Sequence, residues 1–214
     1  MTEEFVMKKG IVVSGVGEVR AAPDILAVTI DVETRASTVA AARTANAEAA
    51  ARLIASLKAE GVDQRDIQTA NLSVRAEYDR PDSGNPRVSG YRVTNSLRVL
   101  LRDTEKAGAI IDAALDAAGD DGRLGGLRFD FSDPAPLYAQ ARIRACIDAR
   151  EKALALASGM AVKLGKLVSV VENAAETQRQ PSMLAAAMRM ESLPVEAGES
   201  TVSVGVTAHF AIKG

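Results

Sequence analysis

IVVSGVGEVRAAPDILAVTIDVE, residues Ile11 to Glu33, decides the fold class, because it carries the glycines of a phosphate-binding loop in a context that forbids one. A dinucleotide loop needs a strand, then Gly-x-Gly-x-x-Gly, then at once a helix whose free N–H groups face the pyrophosphate. Here Gly15-Val16-Gly17 supplies only part of that pattern, and Ala21-Ala22-Pro23-Asp24 leads into a second strand-like run. Leu26, Val28, Ile30 and Val32 alternate with Ala27, Thr29, Asp31 and Glu33, a period of two that sets the apolar side chains on one face. A strand, not a helix, follows the glycines. They are read as marking a bulge, a bend or a close backbone approach, and the whole stretch as a strand pair.

Working outward, a chain of 214 residues can bury about 70% of its unfolded surface, enough for a substantial core. Aromatics are only 3% and Trp is absent, so packing must rest on Ala, Val, Leu and Ile. Lys and Arg number 26 against 28 Asp and Glu, with no basic block, which argues against a general nucleic-acid partner. A single cysteine, Cys146, excludes an intrachain disulfide framework and a multi-cysteine zinc site. It falls in a helical pattern and is read as a small buried apolar residue rather than a redox thiol. His209, the single histidine, is read as a surface or interface imidazole. No run reaches the length of a membrane-spanning helix, and Met1 to Gly10 lacks the apolar core of a secretory signal. A cytosolic protein and an exported one whose leader was replaced both fit that start, and residues 1–9 are expected to be a disordered start or expression remnant.

The first helical pattern runs from about Thr38 to Glu60, with Val39, Ala42, Asn46, Ala49, Ala50, Leu53, Ile54 and Leu57 on one face and Gly61 as its stop. Asn46 is expected at the boundary of that face. Ile67 to Tyr78 and Val88 to Arg102 alternate on either side of RPDSGNPR and predict a hairpin. In its second arm Tyr91, Val93, Leu97, Val99 and Leu101 face one way, and Arg92, Thr94, Ser96, Arg98 and Arg102 form a solvated or interfacial face. A second helix is expected at about Thr104 to Ala118, with Ala107, Ile110, Ile111, Ala114 and Leu115 along one stripe, and a short strand at Leu124 to Phe131. Ser132-Asp133-Pro134 reads as a helix start. The third helix is expected over about Ala135 to Leu164, ended by Gly165 and packed on a sheet through Ile143, Ile147, Leu154, Ala157, Ala161 and Leu164. Strands at Lys166 to Glu172 and Glu199 to Ile212 complete the pattern.

The fold class expected is α+β: an antiparallel or mixed β-sheet with long strand arms and three main helices packed on it. Residues 10–214 read as a single domain, interrupted at 173–198 by a methionine-bearing segment. There Met183, Leu184, Ala187, Met188 and Met190 could form a short apolar helix stripe suited to an oligomer or partner contact, with a mobile loop as the equal alternative. Carboxylates and arginines at Asp130, Asp133, Arg128 and Arg142 are the one set that a hydrolase could use, though such pairs are more often solvated faces or caps. No catalytic, cofactor or metal motif stands out.

Val13-Ser14-Gly15-Val16-Gly17-Glu18 followed by Ala22-Pro23-Asp24 begins a series of further matches. Ile67-Gln68-Thr69-Ala70-Asn71-Leu72-Ser73-Val74 precedes Gly90-Tyr91-Arg92-Val93-Thr94-Asn95, Phe131-Ser132-Asp133-Pro134 comes next, and Gly198-Glu199-Ser200-Thr201-Val202-Ser203-Val204 closes the series. In this order and spacing the chain resembles the SIMPL domain (DUF541) family, which includes the periplasmic immunogenic protein and outer-membrane protein 28 group. The resemblance covers about Gly10 to Ile212. It implies an exported, periplasmic or envelope-associated bacterial protein without an established enzymatic activity, a ring- or channel-like homo-oligomer, and a role in oxidative or envelope stress. The alternatives are a binding module for a small apolar ligand or partner peptide, and a cytoplasmic location.

Overall fold

A computed structural model of the chain describes residues 10–79, 86–173 and 198–213. Its element order is β1 (Gly10–Ala21), β2 (Ile25–Ala36), α1 (Val39–Ala59), β3 (Ile67–Asp79), β4 (Arg87–Leu101), α2 (Ala107–Ala118), β5 (Gly122–Asp130), α3 (Ala135–Gly159), β6 (Lys163–Glu172) and β7 (Ser200–Lys213). The fold is α+β, as the patterning implies. All strand pairings are antiparallel and fall into two sheets, ordered β1-β7-β6 and β3-β4-β2-β5, neither closed into a barrel among the described residues.

The chain divides into two compact units. The first takes residues 10–22, 133–173 and 198–213, and holds β1, β7, β6 and α3. The second takes residues 23–79 and 86–132, and holds the four-stranded sheet with α1 and α2. Ile11 to Glu33 is therefore two strands, but not a pair: β1 belongs to one sheet and β2 to the other.

The second unit is built on the residues that alternation placed inward. Leu26, Val28, Ile30 and Val32 of β2 and Leu97, Val99 and Leu101 of β4 are buried against Leu53 and Leu57 of α1 and Ile110, Ile111 and Ala114 of α2. Each such Leu or Ile contributes about 1.5–3 kcal/mol on burial, so this face accounts for most of the unit's apolar stabilisation. Thr38 caps α1 by accepting the Ala41 N–H at 3.2 Å, and Gly61 follows the helix at φ 85°, a conformation that glycine adopts without a Cβ penalty. Asn46 is not at the boundary: it is buried, and its Nδ2 donates to Val32 O at 2.9 Å and Val93 O at 3.3 Å. That side chain ties α1 to two strands at once.

The first unit packs differently. The buried face of α3 is Ala141, Ala145, Ala149, Ala153 and Ala157, one alanine every fourth residue, laid over β1 and β7. Ile143, Ile147 and Leu154, expected to pack on the sheet, instead face solvent at 62%, 52% and 48% exposure, and Cys146 is exposed beside them. Leucine and isoleucine outrank alanine in hydrophobicity, but only alanine lets this helix settle onto a glycine-bearing strand. Nor does α3 reach Leu164. It ends at Gly159, with Met160 as its cap and Ala161 at φ 54°, while the Val162 N–H bonds back to Ala157 O at 2.9 Å. Gly165 lies inside β6, where a Cβ would press on the Ala211 backbone.

Candidate functional site

Gly15 and Gly17 occupy the face of β1 beneath α3. A methyl group on Gly15 would overlap the Ala145 carbonyl oxygen, and one on Gly17 the Ala141 carbonyl oxygen. The glycine pair thus makes room for a helix backbone, which is the close approach that the opening stretch allowed. Pressed this near, α3 can reach over the edge of the sheet with its flanking side chains.

Those side chains are Arg144, Asp148 and Lys152, four residues apart and so along one flank of the helix. The Val16 N–H donates to Asp148 Oδ2 at 2.8 Å, Lys152 Nζ donates to Ser14 O at 3.1 Å, and Arg144 donates to Glu18 O. Ser14, Val16 and Glu18 are alternate residues of an edge strand, whose N–H and C=O groups point to the same side of it. The flank of α3 therefore occupies main-chain groups that an added strand would need. Lys152 also donates to Asp148 at 2.7 Å, and this bond, together with the Val16 N–H, holds the Asp148 carboxyl below its ordinary pKa.

The other edge of the same sheet, β6, carries no such cover among the described residues. Leu167, Val168, Val170 and Val171 are all exposed, and the one side-chain bond there joins Arg142 Nε to Glu172 at 2.9 Å, leaving the main chain free. That pairing raises the Arg142 pKa. With Ile143, Ile147 and Leu154 on α3, the exposed apolar side chains of this unit form the best candidate contact surface in the described structure.

Asp130 Oδ1 accepts the Phe131 N–H at 2.8 Å and Arg128 lies 3.4 Å from its other oxygen, while Asp133 caps the start of α3 by accepting the Ala135 N–H at 3.1 Å. These roles, with the Arg142–Glu172 bond, are local pairs and a cap. Among the described residues no group of three or more His, Cys, Asp or Glu side chains is placed to hold a metal ion. Met183, Leu184, Ala187, Met188 and Met190 lie outside the described residues. On the open face of the second unit's sheet, Arg92 bonds Glu77 and Glu33 and Arg35 joins both carboxylates, so these four charges balance one another. His209 is half-buried on the face of β7 away from α3, opposite Val12.

Asp24 and Ser132 meet where the chain enters and leaves the second unit. Asp24 accepts both the Ser132 hydroxyl and its N–H, the latter at 2.7 Å, and these bonds, the hydroxyl's first, lower the Asp24 pKa. Asp66, buried at the foot of the hairpin, takes a bidentate bond from Arg102 at 2.8 Å, which lowers its pKa likewise. Sequence reasoning missed the α3 clasp and the Asp24–Ser132 lock. The signal for the first was present as Gly15-x-Gly17 facing an alanine every four residues; the second joins positions 108 residues apart and left no local trace.

A family model described as "SIMPL: Protein of unknown function (DUF541)" matches residues 11–210. The 26 kDa periplasmic immunogenic protein of Brucella melitensis is 33% identical over 214 residues, covering 95% of this chain and 84% of the relative, and its counterpart in Brucella abortus matches to the same extent. YggE of Escherichia coli, an uncharacterized protein, is 32% identical over 190 residues, covering 89% of this chain and 75% of the relative. With the match running from β1 into β7 and taking in both units, the chain belongs to the SIMPL (DUF541) family.

Proposed function

We propose that this chain is a non-catalytic protein of the bacterial periplasm or envelope that works as a homo-oligomer, ring- or channel-like in form, and protects the cell against oxidative or envelope stress. In this reading residues 10–214 act as one domain. The observation that carries the assembly is the exposed apolar row Ile143, Ile147 and Leu154 on a helix whose other face is already packed. Singly exposed apolar residues are ordinary; a row of them along one helix face is what subunit contacts use. The Met183, Leu184, Ala187, Met188 and Met190 segment adds adaptable contacts to the same assembly. The periplasmic names of the Brucella relatives support the location.

Light scattering at micromolar concentration tests the assembly. The wild-type chain is expected to be oligomeric, and Ile147→Asp, at an exposed position, to shift it toward monomer without loss of circular dichroism. A wild-type monomer at that concentration would end the proposal. For the stress role, a deletion strain should lose viability in peroxide and recover it with the wild-type gene but not with Ile147→Asp.

A further inference from the structure

We propose that a second copy of this chain adds to the outer edge of β6 as an antiparallel strand, β6 against β6, about a two-fold axis at Ser169. This rests on the self-assembly reading above and gives that assembly a specific joint. The sheet β1-β7-β6 has two edges, and they are not equivalent. On β1, main-chain groups of Ser14, Val16 and Glu18 are taken by Lys152, Asp148 and Arg144. On β6, among the described residues, no strand lies outside and no side chain bonds the outer main chain, while the residues from Lys166 to Glu172 are exposed throughout. An open edge of this kind is a template for strand addition, with main-chain hydrogen bonds supplying affinity and side chains supplying register.

The sequence of β6 is self-complementary in one register. About Ser169, Lys166 opposes Glu172 of the partner subunit, Leu167 opposes Val171 of the partner subunit, and Val168 opposes Val170 of the partner subunit. The two-fold repeats each pair, so at each end a lysine joins the carboxylate that Arg142 already holds within its own subunit, and apolar pairs fill the space between. Sliding the strands to a centre at Val170 sets Val168 against Glu172 of the partner subunit and Leu167 against Asn173 of the partner subunit, which loses both ion pairs and the apolar matches. β6 slips register against β7 between Leu164 and Leu167 and between Leu167 and Ser169, so the Lys166 to Val168 side of the axis lies in the bulged part of the strand and the Ser169 to Glu172 side in its regular part. A two-fold contact is self-complementary and closes on itself, leaving the α3 row free for further contacts in a larger ring.

The test uses the full chain as Cys146→Ser/Ser169→Cys. Opposed side chains at the axis of an antiparallel pair have Cβ atoms about 4.5–5.5 Å apart, close enough for a disulfide after a small adjustment. Mild oxidation at micromolar concentration is expected to convert most of the protein to a reducible dimer, whereas Cys146→Ser/Ser14→Cys, on the occupied edge, stays uncrosslinked. Adding Lys166→Glu should slow crosslinking several-fold by opposing like charges across the joint. An oligomer by light scattering that fails to crosslink at Ser169 would overturn the β6 joint alone. A monomer by light scattering would overturn the self-assembly reading and the joint with it.

Discussion

One methyl group at Gly15 or Gly17 is enough to force α3 off its sheet, because its nearest neighbours there are main-chain atoms that cannot turn aside. Gly15→Ala and Gly17→Ala are each expected to destabilise by about 1–3 kcal/mol, the usual cost of overpacking, measured as a lowered urea midpoint. Gly126, also in a strand but with nothing within 4 Å of an added methyl, is the control, and alanine there should be neutral or slightly stabilising. Asn46→Leu tests the buried amide: with the carbonyls of Val32 and Val93 losing their donor, about 1–3 kcal/mol should be lost although the new side chain is more apolar. Asp24 and Asp66 link stability to pH. Both carboxyls have folded pKa values below the ordinary 3.8, so their contribution is present above that value and is lost as pH falls through it toward the folded pKa. The urea midpoint should therefore drop between about pH 5 and 3, and the Asp24→Asn/Asp66→Asn variant should show a shallower drop. An equally steep fall in that variant would assign acid sensitivity to other carboxylates.

At the scale of elements, strands and their faces were legible because a period of two survives in sequence: β2 and β4 bury the residues that alternation selected. Helix α3 was legible in extent at its start and misread in orientation. Ile143, Ile147 and Leu154 recur at helical spacing and outweigh alanine on any hydrophobic count, yet the core side was set by steric fit to Gly15 and Gly17. Its end was hidden for a similar reason. Ala161 takes the left-handed turn usually given to glycine, and the glycine that invited a stop sits in β6. Family signatures were legible as strings, and the structure shows what they do. Val13 to Glu18 pairs with Ser203 to Ala208 in β7, Leu72 to Val74 pairs with Val93 to Asn95 in the hairpin, and Asp24 bonds Ser132. The clasp on β1 leaves a prediction at this scale. Ala149→Leu, which keeps helix propensity and adds apolar volume, should destabilise the protein by about 1–3 kcal/mol, because the surface beneath it is close-packed. A neutral Ala149→Leu would mean that α3 can lift without cost.

Across the whole molecule the two units rest on different kinds of core, and that difference should be visible in hydrogen exchange. Among the largest fully buried side chains described, Val204 alone belongs to the first unit; Leu26, Ile30, Leu53, Leu57, Leu97, Leu101 and Ile111 belong to the second. Alanine buries little apolar area, so the first unit depends on close contact along α3, and its edge strand β6 has few buried groups to protect it. Amides at Val28, Ile30 and Val99 are expected to exchange only through global unfolding, and those at Val170 and Val171 through local opening that is orders of magnitude more frequent. Strand addition at β6 turns this contrast into a measurement of assembly. Raising the protein concentration should slow exchange at Val170 and Val171 by the fraction of subunits paired, while Val28 and Ile30 stay unchanged wherever their exchange is already limited by the fold itself. Protection that rises with concentration on α3 but not on β6 would place the subunit contact on the Ile143, Ile147 and Leu154 row instead.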